Sequence, residues 1–174
     1  MNHYEHPKHP EAFVTNLELD VEGLKIPITF EINEKGYFNF RNNDYEEEFA
    51  IDGMISKKIA RINHIYVPNK LRGKGLGAVL LKGLENQLAQ CSVHTALPTF
   101  SKTATIEFFL HHDYKVAPIS TLSSDEYKDL YMDREPFNDW IQDENDYNIL
   151  KLRDKKQLYK KILLSKNIEE NGRE

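Results

Sequence analysis

The densest chemical signal in the sequence is Arg72-Gly73-Lys74-Gly75-Leu76-Gly77-Ala78. Glycines let a backbone turn tightly and come close to a ligand. Arg72 and Lys74 bring cations that make charge-assisted hydrogen bonds. If a helix starts here, its first N–H groups have no intrahelical acceptor, and its dipole favours negative charge. Together these features describe a cradle for an anion, a pyrophosphate above all. Several ligands compete for it. Gly73, Gly75 and Ala78 formally fit the dinucleotide pattern G-x-G-x-x-A. That pattern follows a strand almost directly and needs an acid about 20 residues on. Here a basic loop intervenes, and residues 92–97 hold no acid. A nucleotide P-loop fails because no Gly-Lys pair precedes Ser or Thr. A purely structural glycine turn is the plain alternative to an anion cradle.

Other reactive side chains are scattered. His64 lies in Ala60-Arg61-Ile62-Asn63-His64-Ile65-Tyr66-Val67 and reads as a surface or packing histidine. His111 and His112 are helical neighbours about 100° apart, so both cannot face one metal. His3, His6 and His9 are interrupted by Pro7 and Pro10 and cannot form one helical face. The single cysteine, Cys91, excludes an internal disulfide and a multi-cysteine zinc site. It reads as a small packing residue. No metal is expected.

The elements that must position the loop are legible in the hydrophobic pattern. Residues 60–67 read as a strand stopped by Pro68, with the glycine loop after it. Leu76, Leu80, Leu81, Leu84 and Leu88 recur at helical spacing, which predicts a helix over 76–90. Residues 92–97 read as a second strand, 103–112 as a short helix and 114–118 as a third strand. Strand–helix–strand–helix–strand implies parallel pairing. Residues 11–43 alternate with period two and read as consecutive antiparallel strands, with turns at Glu22-Gly23 and Asn33-Glu34-Lys35-Gly36. Residues 44–58 are ambiguous. The last third reads as helical: Ser123 or Ser124 caps one helix, 136–144 gives a second, and 147–165 carries Ile149, Leu152, Tyr159 and Leu163 on one stripe.

In this context Arg72-x-x-Gly75-x-Gly77 resembles the Arg/Gln-x-x-Gly-x-Gly/Ala signature of the GNAT superfamily of acetyl-CoA-dependent N-acetyltransferases. Ile62, Ile65 and Val67-Pro68 resemble its spaced aliphatics before the loop, and the elements over 58–118 follow its order. The resemblance implies a mixed, centrally splayed β-sheet flanked by helices, an α/β (α+β) fold. Strands 60–67 and 92–97 would part to admit acetyl-CoA. Ile65, Tyr66, Val67, Arg72, Gly73, Lys74, Gly75, Leu76, Gly77 and Ala78 would hold it. A backbone N–H near Val67 would polarise the thioester carbonyl, and an amine, on a small molecule or a protein, would take the acetyl group. The pattern also departs from the family. Phe109 stands where a Tyr commonly protonates the leaving thiolate, and Asp113-Tyr114 replaces Gly-Phe. Lys102 replaces a cofactor-contacting Asn. Arg61 and Asn63 stand where a general base sometimes sits. A GNAT-like module that binds coenzyme A without catalysis is therefore the alternative.

Composition sets the outer bounds. At 174 residues and 40% hydrophobic the chain suits one core. The expected layout is a tail over 1–10, the GNAT-like domain over 11–122, and a helical extension over 123–174 packed on it. A net charge of −5 argues against a general nucleic-acid binder. The longest apolar stretch, residues 76–81, is far below the ~20 residues of a membrane span. With no signal peptide visible in residues 1–10, the expected compartment is the cytoplasm. A homodimer is one assembly this reading allows. Residues 125–146 hold nine acids against two bases, and 151–166 seven bases against one acid. They read as solvated faces that attract each other, or as an acidic lip for a cationic substrate.

Overall fold

A computed structural model describes residues 10–42, 49–67, 75–99, 103–131, 140–155 and 161–169. Their framework is one sheet in the order β1-β2-β3-β4-β5-β6-β8-β7. The strands are β1 (Phe13–Val21), β2 (Leu24–Ile32), β3 (Tyr37–Arg41), β4 (Ala50–Ser56), β5 (Ile59–Tyr66), β6 (Thr95–Pro98), β7 (Lys115–Val116) and β8 (Leu164–Asn167). The helices are α1 (Leu76–Gln90), α2 (Thr103–His111), α3 (Ser124–Tyr131) and α4 (Glu144–Arg153).

β1 to β5 form an antiparallel meander. Two-residue turns join β1 to β2 at Glu22-Gly23, where φ is 54° and 84°, and β4 to β5 at Lys57-Lys58. Two successive positive φ values suit the twist of a tight hairpin. β4 falls in the stretch whose sequence is ambiguous, and Gly53 explains why. Ile51, Gly53 and Ile55 share the core face, but Gly53 breaks the apolar alternation. A Cβ there would lie 2.0 Å from the Arg61 carbonyl oxygen and 2.5 Å from the Phe38 ring, so only glycine fits.

β5 and β6 run parallel, as the strand–helix–strand pattern predicts, with α1 connecting them. α1 lays Leu76, Leu80, Leu81, Leu84 and Leu88 on the sheet beside Phe30, Phe38, Phe40, Ile51 and Ile62. Its Gly83 sits so close to Leu19 and Phe40 that a Cβ would meet them at 2.9 and 3.1 Å. α1 and α2 end alike. Val93 N–H returns to Leu88 O and Ser92 N–H to Ala89 O, while Tyr114 N–H returns to Phe109 O. Each ending needs a left-handed residue, supplied by Ser92 (φ 67°) and Asp113 (φ 70°) where glycine is usual.

α3 covers part of the opposite face. Ser123 and Glu126 cap it reciprocally: Glu126 N–H donates to Ser123 Oγ at 3.2 Å, and Ser123 N–H to Glu126 Oε1 at 3.0 Å. Leu130 and Tyr131 then pack with Ile59, Leu97 and Leu163 in a second core.

The C-terminal third corrects the helical expectation. The stripe over 147–165 is not one helix: α4 ends at Arg153, and Leu152 is 89% exposed. The buried run Ile162, Leu163, Leu164 leads instead into β8, which pairs antiparallel with β6 and β7 and separates them. The strand expected at 114–118 shortens to β7 and reaches β6 only through β8. Of the helix expected over 136–144, residues 136–139 lie outside the described residues. Residues 140–143 are not helical, and Asp143 caps α4 by accepting from Asp146 N–H.

Candidate functional site

The parallel pairing of β5 with β6 runs from Ile59↔Thr95 to Ile62↔Pro98 and stops, while β5 continues to Tyr66. Thr99 finishes the contact: its N–H donates to Ile62 O at 2.9 Å, and its hydroxyl reaches the Ile62 and Asn63 carbonyls at 3.2 and 3.3 Å. The described pairing of β5 with β6 ends there. A β-bulge in β5 lies at the same place. Gly53 pairs with Ile62 and Asp52 with His64, which leaves Asn63 as the extra residue. The bulge resets the alternation, so Ile62 and Ile65 both pack on the α1 side although they are three apart.

On the other side of the sheet, His64 is paired with Asp52 across β4 and β5. His64 Nδ1 and Asp52 Oδ1 are 2.8 Å apart, and the histidine side chain is 77% exposed. Since a carboxylate only accepts, Nδ1 carries the proton and Nε2 is left as an acceptor. Register continues the row through Asn39 on β3 to Glu31 on β2. The side-chain oxygens Oδ1 of Asn39 and Asn63 are buried without a hydrogen-bond partner. Glu31 accepts from Arg41 at 2.6 Å. Tyr66 stands exposed at the end of β5.

α1 starts directly after the glycine loop. Gly75 is its N-cap residue, with φ 75° and ψ 8°, a left-handed conformation natural to glycine. No side chain caps this end and no acid occupies the first turn, so the N–H groups of Leu76, Gly77 and Ala78 have no partner among the described residues. A Cβ on Gly75 would meet nothing within 4 Å among those residues. Gly77 differs: its Cβ would make ordinary contact with the Phe108 ring at 3.4 Å, so the first turn of α1 lies against α2 there. Leu76 is buried, and Ile65 and Val67 are partly buried against the same core. Arg72, Gly73, Lys74 and Lys102 lie outside the described residues.

Of the residues at family-like acid and base positions, Phe109 and Arg61 are held in the interior by structural contacts. Phe109 is fully buried, with Phe108 at 5.3 Å and Tyr114 at 5.0 Å between ring centroids. Arg61, 5% exposed, donates to the Leu130 carbonyl and lies 4.5 Å over the Tyr131 ring, pinning α3 to β5. Tyr114 donates to Glu85 at 2.8 Å, and Lys166 donates to the other oxygen of that carboxylate at 2.8 Å. Burial, and then Glu85 itself, pushes the Tyr114 phenol well above its ordinary range. Cys91 is half-buried, and desolvation raises its thiol, which suits packing rather than attack. His112 packs on Phe108 at 4.7 Å, and burial lowers its pKa. Among the described residues no cluster of three His, Cys, Asp or Glu side chains is arranged to hold a metal.

Two lysines of the basic stretch form described ion pairs with other helices. Lys151 pairs with Glu107 on α2, and Lys166 with Glu85 on α1. No helix among the described residues is long and apolar enough to cross a membrane.

Residues 31–136 match the family model described as an acetyltransferase (GNAT) domain. Among solved structures, Tetrahymena GCN5 is similar with a TM-score of 0.51 at 10% identity, over 78% of this chain and 70% of that one. The ribosomal-protein-S18-alanine N-acetyltransferase of Escherichia coli aligns with a TM-score of 0.46 at 15% identity, over 81% of this chain and 74% of that one. No curated protein matches the sequence.

Proposed function

The chain belongs to the GNAT acetyltransferase family, and from that premise we propose that it is an acyl-CoA-dependent N-acyltransferase, passing an acetyl group from acetyl-CoA to an amine. The observation that carries this reading is the uncapped, acid-free start of α1 on a left-handed Gly75, following a strand β5 that runs on to Tyr66 after its described pairing with β6 has ended at Ile62. A pyrophosphate would lie on the N–H groups of Leu76, Gly77 and Ala78, over the left-handed Gly75. Arg72, Gly73 and Lys74 complete the proposed cradle. Ile65, Tyr66 and Val67 would border the gap that takes the pantetheine arm.

When bound, acetyl-CoA supplies an activated acyl group as a thioester. The protein's part is placement and electrostatics. A backbone N–H near Val67 donates to the thioester carbonyl oxygen, a donor fixed before charge develops there. Holding the amine in line with the carbonyl removes much of the entropic barrier. With Phe109 in the place of a tyrosine, the leaving thiolate takes its proton from water. A thiol pKa of ~8.5 makes that protonation easy.

A second reading, a GNAT-like module that binds coenzyme A without turnover, draws on the burial of Phe109 and the structural engagement of Arg61. Calorimetric titration with acetyl-CoA, together with thiol release over a panel of amines, separates the two. Binding with transfer supports the enzyme, and binding without it supports the module. Gly75→Glu places a carboxylate before the helix start and should abolish binding, while Gly75→Asn keeps a residue tolerant of positive φ. Unchanged affinity in folded Gly75→Glu would remove the loop from the site.

A further inference from the structure

We propose that His64 is the base that takes the proton from the acceptor ammonium, and that Asp52 is the positioning residue that holds its ring. The inference rests on the acetyl-transfer reading and assigns it a residue that the family-like positions Arg61 and Asn63 do not supply. Three observations converge. First, the bulge at Asn63 brings His64 onto the sheet face opposite α1, on the part of β5 that lies past its described pairing with β6. An unbulged strand would put Ile62, His64 and Tyr66 on one face, with the apolar residues of the core. Second, the Asp52 bond fixes the tautomer, so Nε2 is the basic nitrogen and projects from a largely exposed side chain. Third, α3 covers this face only at its Ser56 and Arg61 end, through Asp129, Leu130 and Tyr131. At the other end of β5 the His64 side chain is 77% exposed.

The surroundings suit a cation. His64 faces Asp52 on β4 and has Tyr66 and Asn63 on its own strand. Across β3, Asn39 and Arg41 lie in the adjoining rows, and Arg41 is engaged by Glu31 on β2. Apart from that engaged arginine, these neighbours offer acceptors. A protonated primary amine is thus the substrate class this face favours.

The step balances as follows. His64 Nε2 takes one proton from the alkylammonium and frees the nitrogen lone pair. That nitrogen attacks the thioester carbon; the C–N bond forms and the C–S bond breaks, with the sulfur leaving as thiolate. The second proton shed by the nitrogen reaches the thiolate through solvent, and His64 returns its own proton to water. The net products are the amide, the free thiol of coenzyme A and one proton.

The test is steady-state thiol release by the full chain with primary amines, measured across pH. His64→Gln should lower kcat/KM for the amine at neutral pH by about 100-fold or more, with KM for acetyl-CoA unchanged. The deficit should shrink as pH rises toward the amine's own pKa, where the amine sheds its proton unaided. Imidazole should restore part of the rate of His64→Ala. Asp52→Asn should lower kcat about tenfold without moving KM for acetyl-CoA, and Asp52→Glu should recover part of it, as a merely structural role would not require. Because the His64 side chain is largely in water, these variants should fold as the parent does. A His64→Gln enzyme within twofold of the parent, or one equally impaired at every pH, overturns the assignment while the transfer reading stands. A parent that binds acetyl-CoA yet acetylates no amine overturns both.

Discussion

Replacing Glu85 with alanine should cost this protein much of its stability, and the structure sets the size of the loss. Glu85 is 4% exposed, in the middle of α1, and both its oxygens are used. Its removal strands the hydroxyl of Tyr114, a side chain 1% exposed. An unsatisfied buried hydroxyl costs about 1–3 kcal/mol. It also leaves the Lys166 ammonium without its carboxylate, at 20% side-chain exposure. Breaking a buried ion pair by deleting one partner costs about 3–5 kcal/mol, but the partly exposed lysine turns to water and recovers some of that. A loss of about 4 kcal/mol is expected, a large part of the ~5–15 kcal/mol typical of a domain. Urea unfolding reads it as a fall in midpoint at constant slope. Glu85→Gln, which keeps an acceptor but loses the charge, should fall between. Tyr114→Phe should be costly in the parent and nearly free in Glu85→Ala, because the two share one interaction. Additive losses, or a Glu85→Ala loss under about 1 kcal/mol, would refute the reasoning.

The raised Tyr114 phenol adds a pH dependence: the unfolded chain ionises near pH ~10 while the native one stays protonated, so stability should fall above that pH. Tyr147, also raised, contributes to the same slope, and Tyr114→Phe should lessen the slope without erasing it. Asp113→Gly removes the strain of a positive φ at the end of α2 and should stabilise by about 1 kcal/mol, a rise of roughly 2–4 °C in Tm by scanning calorimetry; an unchanged or lower Tm would argue against it. Gly53→Ala forces a methyl group into the Arg61 carbonyl and the Phe38 ring, so its loss should reach about 3 kcal/mol or more, visible as a collapse of the thermal transition. A variant as stable as the parent would contradict the packing of β4 on β5.

The helix start after the glycine loop was legible in the sequence because glycine spacing and leucine periodicity are local signals. Strand–helix–strand around that loop likewise announced the parallel β5–β6 pair. The face that carries His64 was harder to see. The bulge at Asn63 depends on how β5 registers against β4, and β4 itself was hidden by Gly53. Simple alternation therefore left the direction of His64 open, and its pairing with Asp52 is a tertiary fact. β8 was missed for a related reason. Its residues Leu164, Ser165, Lys166 and Asn167 lack alternation strong enough to outweigh the helical stripe before them, and the strand exists because β6 and β7 leave it a slot. Lys166 reads as a surface charge in sequence, yet it reaches Glu85 across the core.

The insertion of β8 between β6 and β7 has a consequence for biosynthesis. A chain made from its N-terminus completes β6 and β7 well before residues 164–167 leave the ribosome. At typical synthesis rates the interval is roughly 2–10 s. During it β6 has an unpaired edge and β7 has no partner in the sheet. Open edges of this kind recruit strands from other chains. The nascent protein therefore passes through a window in which its own late strand competes with its neighbours for the same slot. Conditions that slow synthesis between β7 and β8 should favour aggregation even though the finished fold is unchanged.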